Sequence, residues 1–176
     1  MLGVGQIQTR KGVIDFIDIA RKMPDVQFVW AGGFSFGGIT DGYKELKNQM
    51  ETAPKNILFT GIVDRDLMND IYNVSDVLFM PSYNELFPMS ILEAMNTSTP
   101  VLLRDLELYE DILFDYYLKE HDNKGFMKAI QKLKNDSDYY EQAKQKAIRG
   151  HKFYSRESVL GMWKSFYKKV WPKKNR

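Results

Sequence analysis

The chain has 176 residues, of which 44% are hydrophobic and 27% charged, and it contains no cysteine and only two histidines. This length and composition suit one globular domain with a sizeable core. The absence of cysteine excludes disulfide bonds and thiolate metal sites, and two histidines argue against a histidine-based metal centre. The sequence holds no apolar run long enough for a membrane span and no signal peptide at its start, so we expect a cytoplasmic protein.

Charge is distributed unevenly along the chain. Residues 1–148 carry 16 Lys/Arg and 22 Asp/Glu, whereas residues 149–176 carry nine Lys/Arg and a single acid, Glu157. Such a basic tail suits an anionic membrane surface, a nucleic acid or another acidic domain, and a helix whose lysines are merely solvated is the alternative. Because no RNA- or DNA-binding motif is present, we do not expect nucleic acid as a partner.

Apolar runs and helical spacing alternate from the start of the chain. Strands are predicted at 2–5, 27–31, 56–61, 76–80, 99–104 and 116–118. Helices are predicted at 11–23, 41–50, 65–73, after residue 88, and at 106–114, 123–135, 137–149 and 155–171. Because the strands are short, apolar and separated by helices, they are typical of a parallel sheet that is buried on both faces. We predict an α/β fold, a Rossmann-like three-layer sandwich with a largely parallel sheet of about six strands.

Candidate ligand-contacting segments follow four of the predicted strands, and three of the four contain glycine. They are Gly5-Gln6, Gly32-Gly33, Gly61-Ile62-Val63 and the segment 82–85. Parallel sheets bind ligands beyond the carboxyl ends of their strands, and glycine lets the backbone approach a ligand closely. The chain contains neither a Gly-x-Gly-x-x-Gly fingerprint nor a P-loop, so each glycine pair taken alone is weak evidence.

The segment 84–95 combines two carboxylates with an apolar helix. Glu93 stands among apolar neighbours, where a carboxylate is costly to bury unless something donates a hydrogen bond to it. Ser90 and Glu93 match a capping box, with Pro88 in the first turn of the helix. The alternative is that the N–H groups of residues 89–91 face an anion while Glu85 and Glu93 accept hydrogen bonds from sugar hydroxyl groups.

Two charged segments lie at predicted helix starts. Lys11 is close to the start of the first helix, where a cation is unfavourable unless an anionic ligand binds there. Asp64-Arg65-Asp66 spells an Asp-x-Asp, which holds a divalent metal in some nucleotide-sugar enzymes. We favour the simpler interpretation, in which Asp64 is a helix N-cap and Asp66 lies in the first turn. No metal is therefore expected.

These motifs together resemble the C-terminal, donor-binding half of a GT-B glycosyltransferase of family 4, also called glycosyl transferase group 1. The resemblance covers nearly the whole chain. Its most specific mark is the Glu-x7-Glu pair, Glu85 and Glu93, after the strand segment 76–82. Supporting segments are 10–12, 59–61, 92–95 and 99–101.

The resemblance implies retaining transfer of a hexose from a nucleotide-sugar, UDP-glucose or UDP-galactose, without a metal or other cofactor. It gives Glu85 the catalytic position facing the transferred sugar, Lys11 the diphosphate, residues 61–63 the base and Glu93 the ribose. The implied donor-binding set is Gly5, Gln6, Arg10, Lys11, Gly33, Gly61, Ile62, Val63, Phe87, Pro88, Met89, Ser90 and Glu93.

Two departures from the family pattern affect these expectations. Many members have Arg where Gln6 stands. We therefore expect diphosphate binding to be weaker, or to depend on Lys11 and Arg10. Many also have Gly-Gly where this chain has residues 104–108. Segments 9–12, 30–33 and 104–111 are similar to bacterial diacylglycerol glycosyltransferases, which implies a glycolipid or diacylglycerol acceptor and a peripheral position at the inner face of the membrane.

The last predicted helix, 155–171, fits two interpretations. Its apolar face holds Val159, Trp163, Phe166 and Val170, and such a face is more often core than membrane insertion. We therefore predict that it joins the core of a single donor-binding domain, 1–176. The family's N-terminal acceptor domain is expected to be missing, so the chain should bind nucleotide without turnover. The alternative function is a non-enzymatic, regulatory domain that binds a nucleotide or sugar phosphate.

Overall fold

A computed structural model describes residues 1–171. Its centre is a sheet of six strands, all parallel, in the order β3-β2-β1-β4-β5-β6. The strands are β1 (Leu2–Val4), β2 (Phe28–Ala31), β3 (Ile57–Gly61), β4 (Leu78–Met80), β5 (Val101–Arg104) and β6 (Leu118–Glu120). The predicted α/β fold with a parallel sheet is confirmed.

Helices connect the strands and follow the last of them. They are α1 (Val13–Lys22), α2 (Tyr43–Glu51), α3 (Met68–Asn73), α4 (Met89–Asn96), α5 (Glu107–Leu113), α6 (Asn123–Asn135), α7 (Ser137–Phe153) and α8 (Arg156–Val170). Short 3-10 turns occupy Thr9–Lys11, Gly37–Ile39 and Arg65–Leu67.

The sheet separates two hydrophobic cores. In β4, Phe79 points into the core shared with α1 and α6, whereas Leu78 and Met80 point into the core shared with α3, α4 and α5. All three side chains are at most 2% exposed. Burying one such side chain contributes roughly 1.5–3 kcal/mol, so each strand stabilises both layers of helices.

Most boundaries differ from the sequence-based expectation by one or two residues, and three differences have a structural reason. The last strand, predicted at 116–118, lies at Leu118–Glu120, because Tyr117 is used to fill the core and is only 5% exposed. The helix predicted from Arg65 starts as a 3-10 turn, and Asp64 takes the extended backbone of an N-cap without a side-chain capping bond in the described structure. Helix α7 continues past residue 149 to Phe153.

Helices α4 and α7 approach each other closely at Gly150. A Cβ atom at this position would lie 2.6 Å from Met95 Sδ and 3.0 Å from Tyr116 Cβ. Met95 is fully buried, so it has little room to move aside. Gly150 therefore sets the distance between α7 and the helix that carries Glu93.

Helix α8 corrects the prediction that its apolar face is core. Among its described residues none is buried, and Trp163, Phe166 and Val170 are 53%, 52% and 59% exposed. Trp163 and Tyr167 stack on each other with ring centroids 5.8 Å apart, so the aromatics cover one another rather than the sheet. Within residues 1–171, no helix has the combined length and apolar character that crossing a bilayer requires. The predicted basic end, 172–176, lies outside the described residues.

Candidate functional site

The topological switch point of the sheet lies between β1 and β4. The chain leaves β1 toward α1 on one face and leaves β4 toward α4 on the other, which opens a crevice at the carboxyl ends of these strands. The backbone is tight here, because a Cβ at Gly32 would lie 1.9 Å from the Gly5 carbonyl oxygen and Gly32 has a φ of +146°. Only glycine fits that approach.

Two loops meet at the crevice and bring Lys11 and Glu85 together. The Tyr83 N–H donates to the Arg10 carbonyl at 2.8 Å, which ties the turn before α1 to the loop after β4. Lys11 Nζ donates to both oxygens of the Glu85 carboxylate, at 2.6 and 2.8 Å. The side chains are 12% and 4% exposed. The stem of Lys11 passes over Gly5, where a Cβ would lie 3.7 Å from Lys11 Cε.

Gln6 joins the same network through a relay of side chains. Gln6 Oε1 accepts from Gln8 Nε2 at 2.8 Å, and Gln8 Oε1 accepts from Arg10 Nε at 3.0 Å. Arg10 Nη1 also donates to the Asn84 carbonyl at 3.0 Å and lies 3.6 Å from Glu85 Oε2. Arg10 is the more exposed cation, at 49% of its side chain, so it presents positive charge to the solvent side of the crevice.

A pocket of about 490 Å³ opens at this pair. Its lining consists of Arg10, Lys11, Asn84, Glu85, Leu86, Phe87 and Pro88. Five of these residues were predicted from the sequence as catalytic or donor-binding. Leu86 is 85% exposed and Phe87 packs against Tyr154, with ring centroids 5.7 Å apart, so the rim is apolar while the base is charged.

The start of α4 corrects the capping-box interpretation. Pro88 is the N-cap, with extended backbone, rather than a residue of the first turn, and Met89 is the first helical residue. Ser90 Oγ contacts Met80 Sδ at 3.3 Å instead of capping. The Ile91 N–H donates to the Pro88 carbonyl at 3.1 Å, so of the three N–H groups expected to face an anion, that of Ile91 is used within the chain.

Glu93 takes its hydrogen bond from the neighbouring helix. Tyr72 of α3 donates its hydroxyl to Glu93 Oε2 at 2.8 Å. Tyr72 is 1% exposed, whereas Glu93 is half-buried. Burial, with the bond to Glu93 as a second cause, raises the pKa of Tyr72, so the hydroxyl keeps its proton and remains a donor at physiological pH.

The glycine turns after β2 and β3 lie against each other. Gly32 and Gly61 form an isolated bridge, and a Cβ at Gly33 would lie 3.1 Å from Ile62 Cγ1. Ile62 is 74% exposed, whereas Val63 packs against the core that contains Tyr72. Of the three predicted base-binding residues, Ile62 is therefore exposed, Gly61 is half-buried and Val63 is packed.

The Asp-x-Asp segment is apart from these contacts. Asp64 and Asp66 are exposed at the 3-10 turn Arg65–Leu67. In the part of the chain that the structure describes, no three His, Cys, Asp or Glu side chains come close enough to hold a metal ion. The expectation that no metal or other cofactor takes part stays a prediction.

Sequence reasoning missed a second network below the pocket. Arg104 Nη2 donates to Asp15 Oδ2 at 2.6 Å, and the Tyr83 hydroxyl donates to the same oxygen at 2.5 Å. Arg104 Nε donates to the Pro81 carbonyl at 3.0 Å, and its guanidinium lies 4.1 Å from the Tyr83 ring centroid. Arg104 thus fixes the loop that carries Glu85. Its sequence signals were its departure from the family's Gly-Gly and its place in segment 104–111, and neither indicated this contact.

Tyr109 was also missed. It is 1% exposed, and no partner for its hydroxyl is found among residues 1–171. Burial, followed by the negative charge of Glu85, raises the pKa of the Tyr109 hydroxyl. No motif pointed to Tyr72, and Tyr109 entered only as part of segment 104–111, which is similar to diacylglycerol glycosyltransferases.

A six-stranded parallel sheet of this order, with helices on both faces and a charged crevice at the switch point, defines a Rossmann-like domain of the kind found in GT-B proteins. The chain belongs to the glycosyl transferases group 1 family, whose model matches residues 1–150.

Two curated relatives share much of the sequence. The chain is 44% identical over 169 residues to the alpha-galactosylglucosyldiacylglycerol synthase of Streptococcus pneumoniae (strain ATCC BAA-255 / R6), covering 96% of this chain and 45% of that protein. It is 38% identical over 135 residues to the processive diacylglycerol alpha-glucosyltransferase of Acholeplasma laidlawii, covering 76% of this chain and 40% of the relative. The chain therefore spans less than half the length of these relatives.

Solved structures share the fold at lower identity. The C-terminal domain of a glycosyl transferase group 1 family protein from Francisella tularensis superimposes with a TM-score of 0.71 and 22% identity, covering 87% of this chain and 84% of that one. The Anabaena protein HepE, solved in complex with UDP-glucose, gives a TM-score of 0.75 and 19% identity, covering 96% of this chain and 48% of that one.

Proposed function

We propose that this chain is the donor-binding domain of a hexosyltransferase that moves a hexose from a UDP-sugar to a diacylglycerol glycolipid, with retention of configuration. The observation that carries the proposal is the Lys11–Glu85 pair, which is almost buried at the base of the switch-point pocket. Support for the acceptor comes from the names of the two relatives, and support for the donor from the UDP-glucose complex of a structural neighbour.

The pair gives the donor's anionic diphosphate and its neutral sugar separate partners. A diphosphate is a stronger anion than one carboxylate, so it competes with Glu85 for Lys11 Nζ, with Arg10 as a second cation at the pocket edge. Glu85, once released, accepts hydrogen bonds from the hydroxyls of the transferred sugar. The N–H groups of Met89 and Ser90, at the start of α4, face the same anion.

The nucleoside takes the other end of the crevice. Glu93 accepts from the ribose hydroxyls, and the backbone of residues 61–63 lies against the base. Stabilisation of the leaving diphosphate falls to cations and a helix start, which needs no metal. The acceptor and its contacts belong to a part of the protein beyond this chain, so the chain alone binds the donor and does not transfer the sugar.

Titration with UDP and with UDP-glucose tests these assignments. We expect Glu93→Ala to weaken both ligands about 10-fold or more, because a hydrogen bond to a charged group is worth roughly 1.5–3 kcal/mol. Glu85→Ala should strengthen UDP binding, because Lys11 loses its competing partner, and should remove the affinity that glucose adds. Calorimetry provides the dissociation constants, and assay of released UDP with a glycolipid acceptor tests for turnover.

The matched control is Glu51→Ala, an exposed glutamate of α2 that lies 3.9 Å from Lys47. It should change neither affinity. If glucose adds no affinity that depends on Glu85, the alternative gains support, namely a non-enzymatic domain that binds nucleotide only. Sugar transfer by the isolated chain would contradict the assignment of the acceptor site to another part of the protein.

Helix α8 extends the proposal to the membrane surface. Its exposed apolar residues include Trp163 and Phe166, and Lys168 and Lys169 lie in its last turn. The exposed Trp171 follows directly as the C-cap. A helix with a basic face and exposed aromatics lies in the interface of an anionic bilayer. A peripheral position at the inner membrane face would bring the domain to a lipid acceptor.

Vesicle binding tests the membrane role of α8. We expect the chain to sediment with phosphatidylglycerol vesicles and not with phosphatidylcholine vesicles. Salt at 0.5 M should release it, because the Debye length is then shorter than the roughly 10 Å found at 0.1 M and the attraction between lysines and lipid headgroups is screened. The double variant Trp163→Ser/Phe166→Ser should lose most of this binding. Binding that is equal for both lipids, or unchanged in the double variant, would contradict it.

A further inference from the structure

We propose that Tyr72 is a positioning residue for nucleotide binding, because it orients the Glu93 carboxylate toward the ribose. The inference rests on the proposed function, since it takes Glu93 as the ribose acceptor. Tyr72 lies on α3, outside every motif that marked the site, and its hydroxyl is tied to the only carboxylate of α4.

The geometry leaves one side of the carboxylate for a ligand. The Tyr72 hydroxyl occupies Glu93 Oε2 at 2.8 Å. The same bond fixes the direction of Glu93 Oε1, and the side chain is only half-buried, so part of the carboxylate stays accessible. Because the tyrosine hydroxyl is neutral, it fixes the carboxylate without cancelling its charge, which a lysine in the same place would do.

Tyr72 is itself held firmly. Its ring is 1% exposed, and its carbonyl accepts from Thr99 Oγ1 at 3.1 Å and from the Ser75 N–H at 3.2 Å. Thr99 Oγ1 is 2.9 Å from Thr97 Oγ1, which donates to the Ala94 carbonyl of α4. Both the backbone and the hydroxyl of Tyr72 are thus linked to the helix that carries Glu93.

The consequence is a carboxylate that is oriented before the ligand arrives. A free glutamate loses rotamer entropy when a ligand immobilises it, and that loss weakens binding. Tyr72 removes this loss in advance. Without its hydroxyl, Glu93 should still reach the ribose, but with lower affinity.

The test compares UDP with 2′,3′-dideoxy-UDP on the 176-residue chain. We expect Tyr72→Phe to weaken UDP binding about 3- to 10-fold, the effect of losing one hydrogen bond that orients a charged group. Binding of the dideoxy ligand, which has no ribose hydroxyls for Glu93, should stay within about twofold. The readout is the ratio of the two dissociation constants, which a loss of folded protein would not change.

Tyr140→Phe is the matched control, because it also removes a hydroxyl that donates a hydrogen bond, there to the Asp76 carbonyl at 3.1 Å. It should leave the ratio at the wild-type value. Added to Glu93→Ala, Tyr72→Phe should cause no further loss of UDP affinity.

Two results would overturn the inference. If Tyr72→Phe weakens both ligands equally, Tyr72 is merely structural, and if it weakens neither, its hydroxyl does not orient Glu93. In both cases Glu93→Ala still reports on the proposed function separately. Wild-type UDP affinity in Glu93→Ala would reject the ribose role of Glu93. It would then also reject the inferred role of Tyr72, which depends on it.

Discussion

The two glutamates of the site are held in opposite ways. Glu85 lies in a loop, is 4% exposed as a side chain and is bound by a cation, Lys11. Glu93 lies in a helix, is half-buried and is bound by a neutral hydroxyl, that of Tyr72. The partner of Glu85 carries a compensating positive charge, whereas the partner of Glu93 carries none.

The difference indicates which contact a ligand can replace. An anion can take Lys11 away from Glu85, because both are acceptors for the same ammonium group. An anion that took the Tyr72 hydroxyl would leave the half-buried Glu93 carboxylate without its donor and next to a second negative charge, which is unfavourable. The first pair is therefore suited to exchange on binding, and the second to permanent orientation.

The largest test of this contrast is removal of each donor in turn. We expect Lys11→Met to lower the free energy of unfolding by about 3 kcal/mol, because it leaves the nearly buried Glu85 carboxylate with only the more distant and exposed Arg10. Tyr72→Phe should cost about 1 kcal/mol, since Glu93 is more accessible to water. Urea denaturation of the two variants measures the difference.

The double variant Lys11→Met/Glu85→Leu is the control for the larger effect. It should recover most of the lost stability, because no unpaired charge remains, while UDP binding stays weak. Equal losses of stability in Lys11→Met and Tyr72→Phe would remove the distinction between the two glutamates.

Alkaline pH gives a smaller test. Burial and the bond to Glu93 raise the pKa of Tyr72 above its ordinary value of 10.0, so its contribution to stability is complete below pH 10 and is lost as the pH rises further. Each such group lowers the free energy of unfolding by up to about 1.4 kcal/mol per pH unit in that range.

Tyr72→Phe should therefore make the decline between pH 10 and 11.5 shallower, with no change of slope between pH 7 and 9. Urea denaturation at each pH supplies the slopes. Identical slopes for wild type and variant above pH 10 would show that the Tyr72 hydroxyl is not the group that loses its proton there.

The fold could be predicted because its signals are local. Short apolar runs and helical spacing predicted all six strands close to their observed positions. Only β6 is shifted as a whole, because the buried Tyr117 resembles a strand residue in the sequence but lies before the strand. The position of the site followed from the rule for parallel sheets. Neither prediction required knowing which distant residues meet.

The contacts within the site could not be predicted, because they join residues far apart in the sequence. Tyr72 and Glu93 are 21 positions apart on different helices, and Asp15 and Arg104 are 89 positions apart. Lys11 and Glu85 were each assigned to a ligand, and their mutual ion pair depends on a backbone bond between two loops that no motif encodes. The exposure of α8 also had no signal, since an amphipathic pattern does not reveal what covers it.

Gly150 shows how tolerance to mutation is distributed in this domain. One added methyl group there collides with Met95, which stands two residues after Glu93 in α4. The change would leave every residue of the crevice intact and still shift the helix that supports one of its carboxylates. A survey of variants that covered only the pocket residues would miss this position. A substitution at Gly150 on α7 should nevertheless lower nucleotide affinity, because it acts through α4.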